Sequence, residues 1–123
     1  MIRFKTLKQS LRHAFEGLST VFRHEHSFRV QLFFGLLAIG LGLYVRLTPI
    51  KMTVILMMVA SVLILEVVNS IFERISDAFK PRLHPIVKEV KDMMAGAVLL
   101  ASIFSVIVGV LIFYPYVQLL VSP

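Results

Sequence analysis

The chain has 123 residues, 58% of them hydrophobic, with a mean hydropathy of +0.87, a formal charge of +6 and a pI near 10.1. Soluble domains are about 45–50% apolar, so these values exclude an ordinary soluble enzyme and indicate a small integral membrane protein. Cysteine is absent, which removes disulfides, thiolate metal sites and cysteine nucleophiles and leaves carboxylates, amides, lysine and histidine to carry any chemistry.

From the N-terminus, Phe4, Leu7, Leu11, Phe15, Leu18 and Phe22 recur at a spacing of three to four, with Lys5, Lys8, Arg12 and Arg23 between them. This pattern predicts an amphipathic helix over 1–28. It suits a helix lying in the headgroup plane with its cations toward phosphates, or one packed on its own protein. No apolar core followed by a small-residue cleavage site is found before Arg29, so a cleavable signal peptide is not expected. The basic excess fits anionic lipid and topology signals better than nucleic acid, because no basic stripe is interleaved with aromatics.

A first membrane span is predicted over 29–47, interrupted by Gln31 and closed by Arg46, Thr48 and Pro49, with Arg29 placed to snorkel toward phosphate at its start. A second, over 50–78, carries a cytoplasmic extension, because a crossing helix needs about 20 residues and the apolar run from Met52 ends at Leu65. A loop over 79–90 precedes a third span over 91–117, which has no charge between Met93 and Tyr114. Gly35, Ala38 and Gly42 in the first span, and Ala97, Ala101, Ser105 and Gly109 in the third, form small-residue ridges that favour close helix packing. Three short spans enclose little interior, so self-association is expected.

Lys and Arg residues set the orientation. Arg3 to Arg29 lie up to the start of the first span, Arg46 and Lys51 flank the turn between the first two, and Arg74, Lys80, Arg82, Lys88 and Lys91 run from the cytoplasmic extension of the second to the start of the third. None follows. The positive-inside rule then places the N-terminus and the 74–91 segment in the cytoplasm, and the C-terminus outside.

The most informative feature is Glu66, Asn69, Glu73 and Asp77. On a helix the three acids fall within about 20° of one azimuth, with Asn69 beside them. Carboxylates along the mouth of a span are costly unless a cation, most plausibly a metal ion or lysine, compensates them. Glu25, Lys88, Lys91 and Asp92 would meet the ladder at the cytoplasmic surface. Glu25 and Glu73 supply hard oxygens of the kind Mg²⁺ prefers, lysine can neutralise phosphates, and Glu66, deepest in the membrane, suits a general base for a hydroxyl carried by a lipid. No phosphate loop or protein-kinase signature exists in the chain. Other readings remain open at this point: Glu73 and Asp77 paired with Arg74, Lys80 or Arg82 in a non-catalytic membrane assembly, or a small cation-conducting oligomer. A metal site on His24, Glu25 and His26 is a weaker reading, since residues two apart on a helix diverge.

The stretch from Leu65 to Asp77 resembles the signature Glu-x-x-Asn-[Ser/Thr]-x-x-Glu-x-x-x-Asp of the prokaryotic diacylglycerol kinase and undecaprenol kinase family, with Glu66, Asn69, Ser70, Glu73 and Asp77 at the marker positions. The resemblance continues in Ser10, Ala14 and Gly17, in Glu25-x-x-Phe28-Arg29, in His84-Pro85, and in Lys91-Asp92 followed by Ala95-Gly96-Ala97-Val98-Leu99. It implies an all-α homotrimer of three-span subunits with a surface helix in the bacterial cytoplasmic membrane, with active sites shared between protomers. The implied reaction moves the γ-phosphate of ATP to the hydroxyl of a membrane lipid alcohol, undecaprenol or diacylglycerol.

By the same resemblance Glu66 looks like the catalytic base, and Glu25 and Glu73 like the Mg²⁺ ligands. Asn69 looks like the positioning amide, with Ser70 beside it on the substrate side, Lys91 like the phosphate-contacting lysine, and Asp77 and Asp92 like supports of the nucleotide site. Phe72, Ser76, Glu16 and Leu83 depart from the usual residues, none of them at a catalytic position. Ala95 to Val98 looks more like the Gram-positive branch, whose members favour undecaprenol.

Overall fold

The computed structural model describes residues 3–79 and 85–122. The architecture is all-α: α1 (Phe4–His24), α2 (His26–Tyr44), α3 (Pro49–Phe79) and α4 (Pro85–Val121). Three of these, α2, α3 and α4, are long and apolar enough to cross a membrane. At 1.5 Å per residue the 31 residues of α3 extend about 45 Å, well beyond a hydrocarbon core of about 30 Å. Its polar end must therefore emerge from the hydrocarbon.

Helix α3 is the centre of the fold, packing along α4 and, less extensively, along α2, while α1 packs only lightly on α2 and α3. Few side chains are fully buried: Val21, Phe28, Ile55, Val62 and Val98 form the apolar core. Most other apolar residues face outward, as they do where the surroundings are hydrocarbon rather than water. The stripe from Phe4 to Phe22 on α1 is likewise exposed, so the rest of the protomer does not cover it.

Gly35 sets the closeness of α2 and α3. A Cβ there would stand 2.7 Å from Val59 Cγ1, and the β-branched valine has little freedom to yield. At Gly42 the nearest atoms are the mobile tips of Met52 and Leu47. On α4 the small-residue ridge is uneven: Ser105 Oγ–H points to Met58 Sδ at 3.9 Å, whereas nothing stands within 4 Å of a Cβ added at Gly109. The ridge thus packs at Ser105, and at Gly109 it opens onto a cavity.

The α2–α3 turn is built from local bonds. Arg46 adopts a left-handed φ of 58°, Leu47 N–H donates to Gly42 C=O at 3.0 Å, and Arg46 N–H to Leu43 C=O at 3.3 Å, which together close the last turn of α2. Thr48 then caps α3 by accepting Lys51 N–H at 3.4 Å, with Pro49 in the first helical position, where its missing N–H costs nothing.

The helix bounds correct the sequence reading in two places. The expected 1–28 helix is broken at Glu25, whose backbone is extended (φ −108°, ψ 106°). Arg29 Nη1, rather than reaching for lipid phosphate, donates to Phe22 C=O at 2.7 Å and Arg23 C=O at 2.9 Å, satisfying carbonyls that the end of α1 leaves open. The expected loop over 79–90 is also shorter, because α4 begins at Pro85; it then runs through Pro115 to Val121. Lys80, Arg82, Leu83 and His84 lie outside the described residues.

Candidate functional site

The acid ladder of α3 is graded in exposure. Glu66 is 6% exposed, Glu73 is half-buried, and the Asp77 side chain is 68% exposed. Glu66 lies where α2, α3 and α4 converge, with the Gln31 side chain within hydrogen-bonding reach and the Glu25 and Glu73 carboxylates near enough to repel it electrostatically.

Glu25 arrives from the α1–α2 elbow. Its extended backbone turns the side chain toward α3, where Ser70 Oγ donates to Glu25 Oε1 at 3.0 Å. Ser70 is only 2% exposed. Its hydroxyl is engaged by Glu25, which it holds against the ladder. Asn69 Nδ2 donates to Glu73 Oε1 at 3.4 Å, and Asn69 Oδ1 is buried with no donor among the described residues. An orphaned buried acceptor is uncommon and calls for a partner from outside the protomer.

Lys91 Nζ of α4 reaches Asp77 Oδ1 at 3.4 Å, joining the outer end of the ladder to α4. Exposed pairs of this kind contribute at most about 1 kcal/mol, so the lysine is free to exchange Asp77 for a stronger anion. Of the alternative partners Arg74, Lys80 and Arg82, the last two lie outside the described residues. Asp92 instead accepts from Lys88 at 3.4 Å on an exposed face of α4, so the structure does not bring it into the cluster. His24 Nδ1 is bonded to Thr20 C=O at 2.9 Å, and among the described residues no three His, Asp or Glu side chains gather around one point.

The donor set still suits Mg²⁺. That ion keeps several waters and takes one or two carboxylates together with phosphate oxygens, so it needs no closed protein cage. Glu25 and Glu73 would supply the carboxylates, and Asn69 Oδ1, without a donor among the described residues, lies beside Glu73.

An apolar cavity of about 540 Å³ lies between α2, α3 and α4, lined by Phe34, Gly35, Ile55, Met58, Val62 and Gly109 among others. Gln31 and Ser102 also line it, and Val62 stands one turn from Glu66. Gln31 is the residue that the sequence reading passed over, as a mere interruption of the first span. The available signal was its isolation, since a lone amide inside a membrane helix marks a function or a polar partner.

The prokaryotic diacylglycerol kinase family profile matches residues 12–113. A diacylglycerol kinase of Synechocystis sp. is 37% identical over 81% of this chain, which spans 58% of that relative's length. An undecaprenol kinase of Bacillus subtilis is 31% identical over 87% of both chains. A diacylglycerol kinase of Escherichia coli is 28% identical over 85% of both.

Proposed function

Because the chain belongs to the prokaryotic diacylglycerol kinase family of membrane lipid kinases, we propose that it transfers the γ-phosphate of ATP to the hydroxyl of undecaprenol or diacylglycerol, with Glu66 as base. The observation that carries this reading is the position of Glu66: buried at a meeting of three helices, one turn from an apolar cavity and next to two further carboxylates.

The lipid alcohol comes within reach of Glu66, which accepts its proton as the oxygen attacks the γ-phosphorus. A bond from the lipid oxygen to phosphorus forms while the bond to the bridging oxygen breaks, and ADP leaves. Glu25, fixed by Ser70, and Glu73, fixed by Asn69, would hold Mg²⁺, and Asn69 Oδ1 would accept from a donor on the bound substrate. When bound, the ion neutralises phosphate charge and orients the transferring group. Lys91 exchanges Asp77 for a phosphate oxygen, and Asp77 and Asp92 support the nucleotide side. Transfer of labelled phosphate from ATP into undecaprenol and diacylglycerol, run side by side with purified protein in micelles, tests the reading. Mg²⁺-dependent incorporation into at least one is expected, and none into either would refute it.

The same reading includes a homotrimer with shared sites, α1 in the headgroup plane, and the N-terminus and 74–91 segment in the cytoplasm of a bacterium, with the C-terminus outside. The support is physical: the α1 stripe is uncovered, and among the described residues of α4 Val98 alone is buried within the protomer. Lys and Arg cluster on the ladder side. Crosslinking in mild detergent is expected to stop at trimer, and a clean monomer with full turnover would rule out shared sites. A non-catalytic assembly or a cation-conducting oligomer has no comparable observation in its favour.

A further inference from the structure

Gln31 is the one amide in α2, set among Val30, Leu32, Phe33 and Phe34. In hydrocarbon an amide is costly unless its donors and acceptor are paired. Gln31 Nε2 donates to Ser102 Oγ of α4 across 3.0 Å, and the same side chain lies within hydrogen-bonding reach of Glu66 on α3. The amide nitrogen carries two hydrogens in one plane. Engaging the first with Ser102 fixes that plane and leaves the second as the donor for an ionised carboxylate, which only accepts. Charge selects the same arrangement, because a reversed amide would set its carbonyl oxygen against the carboxylate. Ser102 and Gln31 thus meet on the wall of the apolar cavity, whose other polar lining side chain among the described residues is Ser105, and Glu66 stands one turn beyond the lining residue Val62.

We infer that Gln31, held by Ser102, is a positioning residue that aims the Glu66 carboxylate at the lipid hydroxyl. The inference rests on the reading of Glu66 as the base. A residue that served only to join α2 to α4 would affect stability and assembly, whereas one that aims the base affects turnover and acts through Glu66 alone.

The test uses the full-length protein in mixed micelles. Gln31→Met keeps side-chain length without a donor, and its kcat is expected to fall roughly ten- to a hundred-fold while KM for Mg-ATP stays within about two-fold. Ser102→Ala gives a smaller loss of the same kind, and Ser102→Thr, which keeps the hydroxyl, restores turnover. In the Glu66→Gln background, Gln31→Met is expected to leave the residual turnover unchanged. A wild-type kcat in Gln31→Met, or a loss that persists undiminished in the Glu66→Gln background, overturns the inference. If Gln31→Met elutes only as aggregate, the serine pair decides: wild-type turnover in Ser102→Ala, or failure of Ser102→Thr to restore it, has the same force. Full activity in Glu66→Gln alone would instead overturn the assignment of the base, and an inactive Glu66→Gln beside a fully active Gln31→Met would overturn only the positioning role.

Discussion

Glu66→Gln is expected to lower kcat by roughly 10²- to 10⁴-fold, the range over which a positioned general base contributes to rate. The substitution preserves side-chain volume at a site only 6% exposed, so packing is kept. It also relieves the repulsion that Glu25 and Glu73 exert on the Glu66 carboxylate, so no loss of fold is expected from the change. A drop in turnover with intact assembly therefore reports chemistry and not damage. The measurement is phosphate incorporation into lipid at saturating Mg-ATP and lipid, with thermal unfolding in detergent recorded alongside. Unchanged kcat would refute the assignment, and a rise in KM alone would move Glu66 from the chemical step to ground-state binding.

Glu25→Gln and Glu73→Gln are expected to show a different signature, a rise of at least roughly ten-fold in the Mg²⁺ concentration that gives half-maximal activity. Each substitution replaces a charged oxygen donor by a neutral amide. Glu25→Gln still accepts from Ser70 Oγ through its carbonyl oxygen, and Glu73→Gln still accepts from Asn69 Nδ2, so the supporting bonds survive. What is lost is charge at the ion. Activity titrated with Mg²⁺ at fixed total ATP distinguishes this from loss of the base, because excess metal recovers turnover in these variants and does not in Glu66→Gln. Identical Mg²⁺ curves in wild type and both variants would remove these residues from the metal site.

Much of the molecule is legible in its sequence. Long apolar runs with few charges declare membrane helices through composition alone, and the three-and-four spacing of Phe4 to Phe22 declares an amphipathic one. The ladder was legible because helical periodicity within one element is a local property. What failed to show was register between elements. Ser70 with Glu25 and Gln31 with Ser102 are separated by 45 and 71 positions, and no spacing rule encodes which turn of one helix faces which turn of another. The break at Glu25 was equally hidden, since neither Gly nor Pro marks it, and it is held by Arg29 and Ser70 from outside the helix it ends. The early start of α4 was different: Pro85 is favoured at a first helical position, and that signal was present but unused.

The elbow at Glu25 places a carboxylate at a fulcrum. Helix α1 has 21 residues and extends about 30 Å from this point, so a tilt of about 10° displaces its far end by about 5 Å. Glu25 itself, at the pivot and pinned by Ser70, would scarcely move. An undulating surface can therefore rock the outer arm of the protein while the carboxylate at its root keeps its distance from α3.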